Sequence, residues 1–463
     1  MNKETRLEKD VLGELNVPND VYWGINTQRA IQNFQISEKR FPRIFISSLA
    51  EVKKACLLAN FELNLIDNEK TEAIKQALKE ILEEDKYFDQ FPIDVYQTGS
   101  GTQTNMNMNE VLANRANEIL GFPKGKKHPV HPNDHINKSQ SSNDVIPTAM
   151  HLSILHLLND KLIPAIKNLR KTLEIKINEF KDIIKVGRTH LQDAVPIPLS
   201  LEFEVYNEQI EISEIRFLTA FEELYFISIG GTALGTGINA HKNFAELATK
   251  KLTEITKFPF KVNPVKAEGI ASHNTIVNVS GITRTLALSL MKMANDIRWM
   301  GSGPRAGLSE LILPSNEPGS SIMPGKINPT QSEALIQVCL QVLGNDSIIS
   351  LGEGYGSILD LNVCKPLMLY NLLDSIEVLS GGVNSFIHHC LSDLKVNNIQ
   401  IKSQLERLLM IVTNLSPYIG YDKCSEIAQK AFNEGKTIKQ VIVEIGLDLG
   451  KDLDDILDPK KMI

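Results

Sequence analysis

Apolar residues recur three or four positions apart over long stretches in the middle of the chain, and this spacing predicts α-helices. The pattern is clear from His151 to Ile184, where leucine and isoleucine repeat at that interval. Other long stretches with the same spacing are Leu199–Ile229, Asn274–Met300, Thr330–Leu351 and Pro366–Leu391. Helices of about 25 to 30 residues exceed the globular average and predict an elongated bundle. Because no stretch sustains a strict apolar–polar alternation, any β-sheet is predicted to be minor.

The chain on either side of this central region has shorter helical patterns broken by polar turns. On the N-terminal side the spacing predicts helices over Ser47–Leu65, Thr71–Glu84 and Glu110–Leu120. We predict an all-α subunit with more than one domain, because 463 residues exceed the usual single core. The three predicted domains are a mainly helical N-terminal domain (1–140), a central bundle of long helices (141–395) and a small C-terminal helical domain (396–463).

Apolar residues cover more than one face of several long helices, as Leu286, Leu288, Leu290 and Met291 illustrate. A helix with apolar residues on most sides is buried on most sides. Two interpretations of this pattern stay open: a central helix within a large monomer, or a helix covered by further copies of the chain.

The overall charge argues against two classes of partner. A net charge of −7 offers no attraction to nucleic acid or to an anionic membrane surface. We therefore predict neither a nucleic-acid nor a membrane partner, and we expect no apolar run long enough to span a membrane. An anionic substrate would have to be attracted by local cations.

The cysteines and the N-terminus indicate the compartment. Five cysteines, odd in number and widely spaced without a CxxC pair, indicate free thiols in a reducing environment. The first residues, Met1–Arg6, lack the apolar core of a signal peptide. We predict a cytoplasmic protein.

Four polar segments concentrate hydroxyl, amide and imidazole groups: Thr98–Asn105, His131–Asn143, Gly187–Asp193 and Gly319–Asn328. Taken singly, each is equally consistent with a loop whose serines and asparagines satisfy backbone groups. Taken together, they could surround a small dicarboxylate with neutral donors and one or two cations.

The last of these segments is rich in glycine and proline and leads into a predicted helix. It combines two hydroxyls, one cation and one amide, and Asn328-Pro329-Thr330-Gln331 follows the pattern of a helix start with Asn328 as the cap. The positive end of a helix is a natural place to receive a carboxylate.

His190 and Glu333 are the titratable groups of most interest. An imidazole titrates near neutral pH and can shuttle protons, although His190 could equally be a hydrogen-bonded structural residue. Glu333 could pair with His190 and fix its tautomer, or could simply be an acid that complements a helix dipole.

Two other patterns resemble binding sites, one for a metal ion and one for a nucleotide, but other features of the sequence argue against both. His128, His131 and His135 have a spacing that suggests a metal, but Pro129 and Pro132 interrupt any helix and no cysteine accompanies them, so we predict no metal. The glycine-rich stretch 230–237 lacks the Gly-Lys-Ser/Thr of a phosphate loop, which favours a helix break over a nucleotide site. No cofactor is predicted.

The eleven residues Gly-Ser-Ser-Ile-Met-Pro-Gly-Lys-Ile-Asn-Pro at 319–329 resemble the signature loop of the aspartase/fumarase superfamily. Pro324-Gly325-Lys326 followed by Asn328–Gln331 is similar to the form found in class II fumarate hydratases, whereas aspartases typically carry alanine where Gly325 stands. The resemblance extends from about Glu8 to about Leu457.

This resemblance implies a metal-independent enzyme that reversibly hydrates fumarate to L-malate by general acid/base catalysis. It also implies a homotetramer whose central helices merge into one core and whose active sites draw on three subunits. The close alternative is aspartate ammonia-lyase, which uses the same scaffold to form fumarate and ammonia. An alternative from another class is a non-catalytic protein such as the lens crystallins of this superfamily.

The resemblance also assigns roles to residues of this chain. Ser320 is expected to remove the carbon-bound proton, and His190, supported by Glu333, is expected to handle the water. The expected substrate-binding residues are Ser100, Thr102, Ser141, Ser142, Asn143, Thr189, Ser321, Lys326 and Asn328. A second dicarboxylate site is expected at His131, Asn133 and Asp134. His128 stands where the family often has a basic residue, which puts the charge of that second site in doubt.

Overall fold

In a computed structural model, which describes residues 4–463, the chain forms two compact units. The first unit comprises the described part of Met1–Ile163 together with Ile215–Thr285 and Gln341–Val378. The second comprises Pro164–Glu214, Leu286–Leu340 and Leu379–Ile463. The division into three domains at residues 140 and 395 stays a prediction. Residues 1–3, which belong to the segment used to predict the absence of a signal peptide, lie outside the described residues.

Helix dominates the described chain, with 62% of residues in helices and 8% in strands, which confirms the predicted all-α class. The seventeen α-helices of residues 4–463 are α1 (Ile25–Asn33), α2 (Arg43–Glu62), α3 (Asn68–Leu82), α4 (Thr102–Ile119), α5 (Ser142–Leu157), α6 (Ile163–Phe180), α7 (Leu199–Leu224), α8 (Phe244–Thr256), α9 (Glu268–Ala271), α10 (Asn274–Met300), α11 (Thr330–Gly356), α12 (Lys365–Phe386), α13 (Asn398–Arg407), α14 (Ser416–Ile419), α15 (Tyr421–Glu434), α16 (Ile438–Glu444) and α17 (Leu453–Ile456).

Short strands pair into five two-stranded sheets within the described residues. The strands are β1 (Thr5–Asp10), β2 (Gly13–Pro18), β3 (Ile184–Thr189), β4 (Gln192–Pro198), β5 (Phe226–Ile227), β6 (Lys261–Val262), β7 (Leu311–Ile312), β8 (Ser357–Ile358), β9 (Leu361–Asn362) and β10 (Lys395–Val396). Strands β5 and β6 are parallel, and the pairs β1–β2, β3–β4, β7–β10 and β8–β9 are antiparallel. No sheet is large enough to form a layer, as the sequence predicts.

Helix α2 is the centre of the first unit. It packs against α3, α5 and α8, and Phe45, Leu49 and Val52 are among its buried side chains. Helix α4 packs against α1 and α3, and α5 is buried along nearly its whole length. The first residues of α4 and α5 therefore belong to a rigid core, and they carry predicted site residues.

The second unit contains a separate apolar cluster near the C-terminus, formed by side chains between Ile411 and Leu457. The β3–β4 hairpin contacts α13 and two 3₁₀ segments, Leu409–Leu415 and Pro459–Met462. These contacts support the hairpin that carries His190.

Helix α11 is more apolar over its length than the sequence pattern predicts. It is long and apolar enough to cross a membrane, with a mean hydropathy of 1.4, so the expectation that no run reaches that length is wrong. The core helix of a soluble protein meets the same criteria. Only 33% of the apolar stretch is buried within the single chain, and Leu340 and Leu351 are more than half exposed.

All five cysteines are free, as predicted, and Cys364 alone among them is only partly buried. Burial raises the pKa of Cys339 and Cys390 to about 12. These thiols are therefore protonated and unreactive at neutral pH.

Candidate active site

Three predicted hydroxyl groups form a hydrogen-bonded chain in the first unit. Ser100 Oγ lies 2.7 Å from Thr102 Oγ1, which lies 2.8 Å from Ser142 Oγ. Thr102 is the first residue of α4 and Ser142 is the first residue of α5. The N-termini of two helices therefore meet at this hydroxyl chain, and both present their positive ends there.

Two glycines fix the turn that carries Ser100. Gly101 has a φ of +75°, which is open to glycine at little cost, and it ends the turn directly before α4. A Cβ at Gly99 would lie 1.5 Å from the carbonyl oxygen of Val363, and the N–H of Lys365 donates to the Gly99 carbonyl. Side chains at these two positions would displace Ser100 and Thr102.

A cleft with a volume of about 580 Å³ adjoins Thr102. Gln103, Asn26 and Arg29 are among its lining residues. The guanidinium of Arg29 donates to the carboxylate of Asp10 at 2.8 and 2.9 Å, which fixes its orientation. The cleft is large enough for a small dicarboxylate, and polar and apolar side chains both line it.

Ser141 and Asn143 are held by their own hydrogen bonds. The hydroxyl of Ser141 accepts from the Asn143 N–H, and the Ser141 N–H donates to Asp144 Oδ1, which makes a capping box at the start of α5. Asn143 Nδ2 donates to the carbonyl of Ala233 at 2.9 Å. One amide hydrogen of Asn143 therefore remains for a ligand.

Asp144 is a fully buried residue that sequence reasoning missed. Its Oδ2 accepts from the N–H groups of Gly230 and Thr232, both at 2.9 Å. Burial raises the pKa of Asp144 to about 7, while the backbone N–H donors and Lys53 oppose that shift. The Ser-x-x-Asp spacing from Ser141 was the signal that could have found it. The stretch 230–237 is thus an irregular turn anchored by a carboxylate, in keeping with the predicted helix break.

The predicted second dicarboxylate site lies on a short π-helical turn, Pro132–Ile136. His131 Nδ1 accepts from the N–H groups of Asn133 and Asp134 at 3.1 and 3.2 Å, so its Nε2 carries the ring proton. His135 Nδ1 accepts from the His131 N–H at 2.8 Å. Within residues 4–463, no group of three or more His, Cys, Asp or Glu side chains is arranged to hold a metal ion.

Thr189 and His190 lie in the second unit, at the tip of the β3–β4 hairpin. Thr189 pairs with Gln192, so His190 and Leu191 form the two-residue turn, with φ values of 57° and 60°. Two positive φ values in succession are typical of a type I′ turn, which usually contains Asn and Gly. The segment predicted as a polar loop is therefore largely a hairpin, and its strained tip exposes the imidazole.

Buried ion pairs hold the base of this hairpin. Arg188 Nη1 lies 2.7 Å from Glu310 Oε1, and Lys185 Nζ lies 3.2 Å from Glu310 Oε2. The Glu310 carboxylate is completely buried. Removing either cation would leave that carboxylate less compensated, so the hairpin is strongly fixed next to its exposed tip.

The signature loop closes on itself in the second unit. The Gly319 N–H donates to the Lys326 carbonyl at 2.9 Å, and Asn328 Nδ2 donates to the Gly319 carbonyl at 2.7 Å. The predicted cap role of Asn328 is wrong, because α11 begins at Thr330 and its Glu333 N–H bonds to the carbonyl of Pro329. The Asn328 side chain instead ties the two ends of the loop together.

Ser320 occupies a special position in this loop. Its Oγ accepts hydrogen bonds from the N–H groups of Ile322 and Met323 at 3.2 and 3.1 Å. Ser321 and Lys326 are exposed on the same loop, and Glu333 is exposed in the first turn of α11. In the second unit, then, Ser320 and Asn328 are held by hydrogen bonds within the loop, and the other predicted residues have exposed side chains.

Two family models match the chain and define its class. One, described as "Lyase", matches residues 13–344, and the other, described as "Fumarase C C-terminus", matches residues 411–463. Together with the long helices and the polar site, they make the protein a lyase of the aspartase/fumarase superfamily.

Relatives with curated names define the family more closely. The chain is 49% identical over 454 residues to fumarate hydratase class II of Thermosynechococcus vestitus, which covers 98% of this chain and 97% of that protein. It is 48% identical over 461 residues to the protein of the same name from Rickettsia prowazekii, which covers 100% of both chains. The chain belongs to the class II fumarate hydratases, as the sequence predicts.

Solved structures agree with this assignment. A recombinant class II fumarase from Schistosoma mansoni has a TM-score of 0.95 at 39% identity, with 99% of each chain covered. A fumarate lyase:delta crystallin from Brucella melitensis, solved bound to cobalt, has a TM-score of 0.94 at 40% identity over 99% of each chain. The fold is therefore the one that these enzymes share.

Proposed function

We propose that this chain interconverts fumarate and L-malate, and that the hydroxyl chain Ser100–Thr102–Ser142 binds a substrate carboxylate. The observation that carries this assignment of the site is the meeting of the α4 and α5 N-termini, joined by the 2.8 Å contact between Thr102 and Ser142. Hydroxyl donors at two converging helix dipoles suit a carboxylate better than any neutral group. Asn143, with one free amide hydrogen, adds a further donor.

Ser320 acts as the base that removes the proton from the carbon next to a carboxylate of L-malate. A serine hydroxyl is a weak base unless its alkoxide is stabilised. The N–H groups of Ile322 and Met323 already point at Ser320 Oγ, and they would hold a negative charge there. This arrangement supports the role that the family resemblance assigns to Ser320.

The dianionic aci-carboxylate that follows needs preorganised positive charge and donors. Lys326 and Asn328 supply these from the same loop as Ser320, with Ser321 and Thr189 as additional hydroxyl donors. His190 then gives a proton to the departing hydroxyl, so that C–O cleavage yields fumarate and water. In the hydration direction the neutral imidazole takes a proton from water, and Glu333 supports the imidazolium.

His131, Asn133 and Asp134 form the second dicarboxylate site of this proposal. The tautomer of His131 supports it, because a proton on Nε2 can be donated to a carboxylate. The positions of Asn133 and Asp134 on an exposed turn leave the site open to solvent. His128 in place of a basic residue weakens the attraction for an anion there.

The active form in this proposal is a homotetramer in which each site draws on several subunits. The long helices support it, because Leu201, Val205, Leu288, Leu340 and Leu351 are each at least 42% exposed in the single chain. Large apolar side chains exposed on several long helices are typical of an interface with other chains. Free cysteines are consistent with the cytoplasm as its compartment.

The reaction is tested by following the ultraviolet absorbance of fumarate in the absence of ammonia. Added protein should lower the absorbance with fumarate as substrate and raise it with L-malate. L-aspartate is the control, and it should give no absorbance, because an ammonia-lyase would release fumarate from it. Release of fumarate from L-aspartate without any hydration of fumarate would contradict the proposal.

A further inference from the structure

Lys53 of α2 is a buried lysine without an ion-pair partner among the described residues. Its side chain is 2% exposed, and Nζ donates to Asn137 Oδ1 at 2.9 Å and to Gln140 Oε1 at 3.0 Å. Both acceptors are neutral amides. Lysine is rarely buried unless its charge is paired, so this position calls for an explanation beyond packing.

Asn137 is the point where three parts of the first unit meet. Its Oδ1 accepts from Lys53 and also from Asn105 Nδ2 and Asn109 Nδ2 at 3.1 and 3.2 Å. Asn105 and Asn109 belong to α4, and Asn137 belongs to the segment that leads into α5. One amide oxygen therefore links α2, α4 and the entry to α5.

Gln140 extends this link to the site. Its Nε2 donates to the carbonyls of Ile136 and Lys138 at 3.0 and 2.9 Å, which locks the segment directly before Ser141. Asn105 lies one helical turn after Thr102, and Gln140 lies two residues before Ser142. The hydrogen bonds around Lys53 thus connect the start of α4 to the segment that leads into α5. The Thr102–Ser142 contact connects the same two segments at the hydroxyl chain.

We propose that Lys53 is a positioning residue for the dicarboxylate site, which holds the starts of α4 and α5 in register and places a buried positive charge behind them. This inference rests on the proposed function. A buried charge acts over a longer range than an exposed one, because less water screens it. A dianion at the hydroxyl chain would be stabilised by that charge.

The state of Lys53 depends on a small group of neighbours. Burial lowers the pKa of Lys53 to about 7, and Cys56 on the same helix and Asp144 at the start of α5 oppose that shift. Burial raises the pKa of the Cys56 thiol, so it stays neutral. Asp144 accepts three backbone N–H groups, which favour its ionised form, but burial outweighs them and raises its pKa to about 7.

The direction of the pH effect follows from these charges. Below its pKa Lys53 is a cation that attracts the dianionic substrate, and above it the attraction is lost. The KM for fumarate should therefore rise as the pH increases through neutrality, towards a plateau rather than without limit. Asp144, whose pKa burial raises to about 7, gains its negative charge over the same range and raises KM in the same direction, so the Lys53 variants are needed to separate the two effects.

The test compares Lys53→Gln, Lys53→Met and Lys53→Arg with the wild-type protein. Glutamine keeps a hydrogen-bond donor and removes the charge, so we expect a KM about tenfold higher below neutral pH, with a smaller alkaline rise than in the wild-type protein and a smaller change in kcat. Methionine also removes the donor and should lower kcat as well. Arginine keeps its charge at every pH used, so its KM should stay low above neutrality.

Lys176→Met is the matched control. Lys176 is also a buried lysine, 5% exposed, but it bonds to Glu179 and to the carbonyl of Leu394 in the second unit. Its loss should lower the melting temperature without changing how KM depends on pH. Melting curves and native mass identify any variant that has not folded.

The outcomes distinguish this inference from the proposed function. If the wild-type protein hydrates fumarate but its KM shows no alkaline rise, the inference is wrong and the function stands, whether or not the variants fold. An unchanged KM and pH profile in folded Lys53→Gln would have the same meaning. If the wild-type protein does not hydrate fumarate, both the proposed function and the inference about Lys53 are wrong.

Discussion

In the proposed mechanism, the side chain of Ser320 is prepared to act as the base before any substrate binds. A hydroxyl oxygen that accepts from two consecutive backbone N–H groups has its negative form stabilised in advance. The donors come from Ile322 and Met323 within the same short loop, so the arrangement moves with the loop as a unit. A closing loop would then deliver a base that is already activated.

Ser320→Ala should lower kcat by about a thousandfold or more and leave KM for fumarate nearly unchanged, because the hydroxyl acts on the carbon-bound proton rather than on a carboxylate. Ser321→Ala is the matched control, since it removes the neighbouring hydroxyl from the same loop and should have a much smaller effect on kcat. Steady-state kinetics with purified, folded variants measure both. Near-normal turnover in Ser320→Ala would remove this residue from the mechanism.

At the scale of the element, helix α5 illustrates how a cap organises a site. Asp144 accepts from the N–H of Ser141 at its own helix and from those of Gly230 and Thr232 across the unit. The serine and asparagine between the two cap residues are thereby presented in fixed orientations. The start of this helix therefore connects two parts of the unit, and in the proposed function it also binds the substrate.

Asp144→Asn should lower the free energy of unfolding by about 1–3 kcal/mol, because the amide nitrogen cannot accept and would face backbone N–H groups. The exposed Asp182→Asn is the control, and we expect a change within about 0.5 kcal/mol there. Chemical denaturation measures both values. Equal stability of the two variants would show that the bonds to Asp144 contribute little.

Sequence patterns predicted the apolar helices well and the polar ones poorly. Helix α10 begins and ends at the predicted residues, Asn274 and Met300, because its apolar spacing continues throughout. Helix α4 begins at Thr102, well before the predicted Glu110, because its first turns are polar. Buried asparagines such as Asn107, which donates to the Gln90 carbonyl, replace apolar contacts there, and no periodicity shows such bonds in advance.

Some of the candidate site residues could likewise be predicted from the sequence, and others could not. The roles of Ser320 and His190 were assigned from motif resemblance, because their sequence neighbourhood is distinctive, and those roles stay predictions. The type I′ turn at His190 was missed, because neither His190 nor Leu191 is a usual residue at positive φ. Lys53 was missed because a lysine within a helical pattern normally indicates a solvated face, and its partners are about 85 positions away in the chain.

For the whole molecule, the proposed sharing of sites between subunits makes a direct prediction about mixed assemblies. Thr102→Val alters the first unit and His190→Asn the second, and each variant alone should be nearly inactive. If different subunits supply these two groups, tetramers formed from equal amounts of both chains should recover about a quarter of wild-type activity, since a random site has that chance of receiving two unaltered segments.

Coexpression of the two chains with different affinity tags, followed by sequential purification, isolates the mixed tetramers for assay. Coexpression of two differently tagged His190→Asn chains is the control and should show no recovery. Mixed tetramers that stay inactive would indicate that each chain builds its sites alone.

Helix α11 has a consequence for the life of a newly made chain. Only 33% of its apolar stretch is buried within the single chain, and the helix is long and apolar enough to enter a lipid bilayer. In the proposed assembly, a single subunit is therefore prone to aggregate. The time that it remains unassembled becomes shorter as the local concentration of other subunits rises. Synthesis of many chains from one messenger RNA would shorten the time before assembly. If chains are made slowly, each one would depend on chaperones until it assembles.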